Sequence, residues 1–104
     1  MKKYKIYRCE KDKDINKNIK KHELIGVVFA NDIDEAESEI RQSVYDDLIG
    51  NNDYEYTDFT VEVDEIMPAS DSKRYQWMVL GVAIPSGSAP NNLVLWYGIT
   101  EENF

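Results

Sequence analysis

Cysteine and histidine are nearly missing from this chain: Cys9 and His22 are the only ones in 104 residues. A single cysteine cannot close a disulfide, and a lone thiol suits a reducing compartment. Zinc is disfavoured on the same count, because structural sites gather four Cys or His ligands at tight spacings and these two stand thirteen residues apart. Long apolar runs are also missing. The longest, 77–84, falls far short of the ~20 residues a membrane-spanning helix needs. The first residues, Lys2-Lys3-Tyr4-Lys5-Ile6-Tyr7-Arg8, contain no apolar core of a secretory signal, so a cytoplasmic location with no membrane partner is expected. Glycine is sparse. Gly81, Gly87 and Gly98 are too dispersed for a phosphate-binding loop, and no G-x-x-x-x-G-K-[ST] occurs.

Cations are scarce beyond residue 22. Nine of the twelve Lys and Arg (Lys2, Lys3, Lys5, Arg8, Lys11, Lys13, Lys17, Lys20, Lys21) fall in the first 22 residues against three acids, a net +6. The other 82 residues carry 17 acids against Arg41, Lys73 and Arg74, a net −14. Residues 32–65 hold thirteen acids and one cation, Arg41. Solubility does not require this segregation, since interspersed signs serve it with less self-repulsion. A chain of net charge −8 is also a poor direct ligand for nucleic acid, whose affinity comes largely from cations on phosphates. The split points instead to a basic protein partner, of the kind that itself binds nucleic acid.

Residues 4–9 alternate, with Tyr4 and Ile6 on one side and Lys3, Lys5 and Tyr7 on the other, which predicts a half-buried strand. Residues 10–22 have five lysines and only Ile15 and Ile19 as apolar anchors, so they read as a lysine-rich loop, with a short frayed helix as the alternative. Residues 23–30 predict a second strand with a bulge or close backbone approach at Gly26. A helix follows. Asp32 with Glu35 matches a capping box, and Ile33, Ala36, Ile40, Val44 and Leu48 recur every three or four residues as one apolar stripe. Gly50-Asn51-Asn52 predicts a left-handed stop. Asp46 and Asp47 oppose the helix dipole in the last turn, so something other than local stability placed them there.

Residues 57–65 alternate cleanly as a strand with one wet face, and 68–74 read as a loop. Residues 75–84 are almost wholly apolar and predict a central strand covered on both sides. A proline-punctuated loop over 85–92 leads to a last strand, 93–99, as its hairpin partner, and 100–104 read as a tail. The order ββαβββ predicts a single α+β domain over 1–104: two layers, a mostly antiparallel sheet of about five strands with one main helix across one face.

No sequence pattern identifies a reaction. G-x-S-x-G, H-E-x-x-H and C-x-x-C are absent, and His22 has no serine or cysteine near it. Cys9 reads as a small strand residue, with Arg8 and the nearby lysines set to lower its pKa if it is exposed. Around 46–55 the Asn51-Asn52-Asp53 run follows Gly50, the wrong register for a calcium loop. The chain is therefore expected to be non-enzymatic, with no cofactor and no metal.

The acids themselves are the candidate site. Glu35, Glu39 and Asp46 lie opposite the helix's apolar stripe, and Asp53, Glu55, Asp58, Glu62 and Asp64 extend the negative field through the next turn and strand. Tyr54 and Tyr56 sit between acids and add flat contact area. This set predicts a docking surface for a basic protein, in its sharpest form an inhibitor of phage or mobile-element type that mimics nucleic-acid charge. The second reading is a homo-oligomeric accessory domain, a homodimer paired through Tyr75, Trp77, Trp96 or Tyr97 if the final hairpin lies at a sheet edge.

Overall fold

Asp32 opens the helix as its spacing predicts. Its Oδ1 accepts the otherwise orphaned Glu35 amide at 2.8 Å, and its carbonyl accepts the first intrahelical bond, from the Ala36 amide, at 3.1 Å. Only half of the capping box forms, because the Glu35 carboxylate takes the side-chain amide of Asn31 instead. The computed structural model describes residues 1–9, 23–50, 59–69, 74–85 and 93–103. The helix, α1, runs Ile33–Gly50, and Ala36, Ile40, Val44 and Leu48 of its stripe are buried. Gly50 is still helical and does not take the left-handed conformation, which corrects the expected stop. Asn51 and Asn52 lie outside the described residues, as do 10–22.

The strands are β1 (Lys2–Cys9), β2 (Glu23–Ala30), β3 (Phe59–Val63), β4 (Met67–Pro68), β5 (Trp77–Pro85) and β6 (Leu93–Asn103). They form one antiparallel sheet in the order β2-β1-β6-β5-β3, with β4 also paired to β5. An α+β domain with one main helix is what the sequence predicts, and the β5–β6 hairpin is present as expected. Three details differ. β6 runs through Asn103 where a tail was expected after residue 99, because its last residues pair with the start of β1, Lys2 opposite Asn103. Met67–Pro68 is a short strand, not a loop. Pro68 needs no donor at this edge position, and the Ala69 amide reaches the Gln76 carbonyl at 2.9 Å. The final hairpin occupies the middle of the sheet, so edge pairing through it is not available.

The sheet curls. α1 packs against both β2 and β3, the two ends of the strand order. Strands ~4.8 Å apart would leave those ends too distant for one helix about 10 Å across unless the sheet wrapped around it. The inner face holds Tyr4, Ile6, Val28, Val79, Tyr97 and Ile99, all buried with the helix stripe, and the Tyr4 ring meets Trp77 edge-on at 6.0 Å. Two glycines let the backbone come close. A Cβ on Gly81 would sit 2.6 Å from Leu48 Cδ1, and one on Gly26 would sit 3.1 Å from Ser43 Oγ. Gly26 also adjoins the expected bulge: Ile6 pairs with Gly26 but Tyr7 with Leu24, leaving Ile25 as the extra residue.

β5 is central but not covered on both sides. Val79 and Ala83 are buried against the helix, whereas Leu80, Val82 and Ile84, on the other face, keep partial exposure. The physical reason is that α1 covers only the inner face. Trp96 and Cys9, opposite one another in the β1–β6 pair, share the outer face with them.

Candidate functional site

Three of the four cations of β1, Lys2, Lys5 and Arg8, are matched within the fold. Lys2 Nζ lies 3.3 Å from Glu101 Oε1, and the Tyr4 hydroxyl donates to the same oxygen at 2.7 Å. Lys5 pairs with Glu102 at 3.1 Å on the outer face, which raises the lysine's pKa. Arg8 donates through Nη1 to Asp47 Oδ1 at 2.8 Å and through Nη2 to Glu23. The second Asp47 oxygen accepts the Tyr97 hydroxyl at 2.6 Å. At about 100° per residue Asp47 falls on the apolar stripe itself, and its side chain is only 12% exposed. Its position against the helix dipole is therefore a tertiary requirement: it neutralises Arg8 and satisfies Tyr97. Burial, then the Asp47 hydrogen bond and charge, push the Tyr97 phenol well above the ordinary tyrosine value, and burial with Glu101 does the same for Tyr4.

The acids expected to form one surface are divided. Glu35, Glu39 and Asp46 are all exposed and fall within about 40° of one another on the flank of α1 nearest β2. Ser43, which approaches Gly26 of β2, marks that side. Their partners are neutral: Asn31 Nδ2 reaches Glu35 at 3.2 Å and Gln42 Nε2 reaches Asp46 at 3.0 Å. Glu62 and Asp64 alternate with Val61 and Val63, so they point to the sheet face away from the helix. Asp53, Tyr54, Glu55, Tyr56 and Asp58 lie outside the described residues.

The concave feature is elsewhere. Asp34, Glu37, Ser38, Arg41, Gln42 and Tyr45 form the other flank of α1 and face Val61 and Val63 of β3 across an open groove of about 530 Å³. A smaller hollow of about 110 Å³, lined by Ile33, Ile66 and Trp77, adjoins it and shares Asp34 and Glu37. Arg41 spans the groove, its Nη2 donating to the Val63 carbonyl at 2.7 Å while Nη1 stays 4.0 Å from Glu37. Its buried Nε has no hydrogen-bond partner. The sequence carried a signal for this site that the apolar stripe overshadowed: residues 34, 37, 38, 41 and 45 recur at three- and four-residue spacing along the stripe's border and include the one cation in the acidic segment.

Cys9 is not activated. Arg8 points to the opposite face, and burial raises the thiol pKa despite hydrogen bonds from Tyr75 and the Gly98 backbone and the nearby charge of Arg74. The Tyr75 ring lies over Gly98, where a Cβ would collide with it, and 6.1 Å from the ring of Tyr7. Burial, first, and the Cys9 contact raise the Tyr75 pKa in turn. Among the described residues no three His, Cys, Asp or Glu side chains converge as a metal site requires, and no helix is long and apolar enough to cross a membrane. No protein-family model, curated protein or solved structure matches this chain.

Proposed function

We propose that this chain is a small non-enzymatic binding protein that docks on a basic surface of a protein partner through the acids of α1. The observation that carries this reading is the unequal fate of the two charge signs. Lys2, Lys5 and Arg8 are paired internally, whereas Glu35, Glu39 and Asp46 have no cation against them among the described residues. These three acids thus put unneutralised negative charge on one helix flank, where it steers a basic partner and selects against acidic ones. In its sharpest form the protein competes with nucleic acid for a phosphate-binding groove, as an inhibitor would. A two-layer arrangement, helix over sheet, suits such a surface because it holds the acids on a rigid element. The same reading puts the protein in the cytoplasm, where a lone thiol stays reduced.

The test is affinity capture from cell lysate with elution by a salt gradient. A basic protein should be retained and should elute as salt rises, and reversal of Glu35 and Glu39 to lysine should abolish capture while leaving the fold intact. Unchanged capture by that variant at low and moderate salt overturns the reading.

A second reading, a homo-oligomeric accessory domain, is favoured by the outer sheet face. Leu24, Val27, Phe29, Met67 and Val94 are all 40–49% exposed there, an unusual concentration for an isolated domain. It predicts a mass near twice 12.1 kDa at high concentration, and a strict monomer removes it.

A further inference from the structure

We propose that the edge of β3 that no described strand covers, together with the groove beside it, receives an extended basic segment of a partner protein as an added strand. The inference goes beyond the binding reading, because it concerns the other flank of α1 as a second place where a basic segment would seat. Its starting point is the hydrogen-bond phase of β3. The Asp64 amide donates to the Leu80 carbonyl at 2.9 Å, continuing the register that sets Val63 opposite Gly81. In an antiparallel ladder the bonded positions alternate, so residues 60, 62 and 64 face β5 and the N–H and C=O groups of 59, 61 and 63 point the other way. The Val63 carbonyl confirms that phase, because Arg41 rather than β5 occupies it. Val61 offers both its N–H and its C=O outward, and among the described residues β3 has β5 as its sole strand neighbour.

The groove exists because, among the described residues, the sheet stops at β3 while the flank of α1 continues past it. A strand added there would hydrogen-bond to Val61 and direct alternate side chains toward α1, into the space between Val61, Val63 and Tyr45. Charge decides which side chains fit. Asp34 and Glu37 sit where the groove meets the smaller hollow, Arg41 is already committed to Val63, and Asp64 and Glu65 stand exposed at the strand exit. A lysine or arginine can lay its apolar stem on the two valines and place its cation between Asp34 and Glu37. A second copy of this chain is the poorer occupant, since its own β3 and strand exit, Phe59 to Glu65, carry acids and no cation to set between Asp34 and Glu37.

Three capped hexapeptides test this: alternating Lys and Val, alternating Glu and Val, and the Lys–Val peptide N-methylated on alternate amides. The first should bind with shifts centred on the Val61 and Val63 amides in NMR spectra, and the other two should not. Asp34→Asn with Glu37→Gln should weaken binding by roughly tenfold, and Glu102→Gln, on the outer face of β6, should not change it. Val61→Pro removes an N–H that β5 does not use, so it should block binding while the remaining amide spectrum stays native. Equal binding of the N-methylated peptide, indifference to the Asp34 and Glu37 changes, or a dimer that protects the β3 amides overturns the inference. If a basic protein is captured through Glu35 and Glu39 but the Lys–Val peptide does not bind, this inference fails while the binding reading stands. If the peptide binds as described and no protein is captured, the reverse holds.

Discussion

The hydroxyl of Tyr97 donates to Asp47 at 2.6 Å, joining the centre of the sheet to the last turn of the helix across 50 residues of chain. Arg8 holds the other Asp47 oxygen, so one carboxylate ties β1, β6 and α1 together. Removing it leaves a guanidinium that is 21% exposed with Glu23 alone and strands a buried phenol. Asp47→Ala should therefore destabilise the protein by about 2–4 kcal/mol, near the lower range for breaking a buried pair because water reaches part of Arg8. Tyr97→Phe should cost about 1 kcal/mol, the net worth of one hydrogen bond. Urea unfolding of both single variants and the double variant measures the coupling.

Stability should fall in alkali. Tyr4 and Tyr97 have folded-state pKa values raised above the ordinary tyrosine value, so the folded protein keeps protons that the unfolded chain loses. Their contribution is whole below pH ~10 and declines as the pH rises beyond it. Ultraviolet titration of tyrosinate should show some phenols ionising together with unfolding. Smooth, reversible ionisation of every tyrosine near pH ~10 would contradict this.

Gly98→Ala should uncover Cys9. The new methyl group collides with the Tyr75 ring, which must swing off the outer face and take its contact with the thiol with it. The thiol's reaction with a disulfide reagent should become faster than in the parent protein. No change in rate would mean that Tyr75 does not shield Cys9.

Gly81→Ala tests the packing of helix on sheet. Its Cβ would lie 2.6 Å from Leu48 Cδ1 and 3.2 Å from Val44 Cγ1, both fully buried. Overpacking of this kind costs about 1–3 kcal/mol. Asp32→Ala should cost about 1 kcal/mol through loss of the helix cap, with the native fold kept. Thermal unfolding of the two variants compares a core defect with a local one.

The sequence settled what depends on near neighbours. The cap at Asp32, the stripe from Ala36 to Leu48, the alternation of β1 and β3 and the pairing of β5 with β6 all rest on periodicities that one segment carries alone. Sheet order does not: nothing within β1 states that it lies between β2 and β6, and the β6 extension over 100–103 forms only because Lys2 to Lys5 are there to pair with it. The same division governs charge. Composition located the cations and the acids, but only tertiary structure decided that Glu101, Glu102 and Asp47 neutralise Lys2, Lys5 and Arg8 across the fold while no described cation meets Glu35, Glu39 and Asp46. It also set Glu62 and Asp64 on the face away from the helix, and it opened the groove at Asp34 and Glu37. Coulomb energy depends on distance in space, and a linear sequence specifies that distance only inside a single helix or strand.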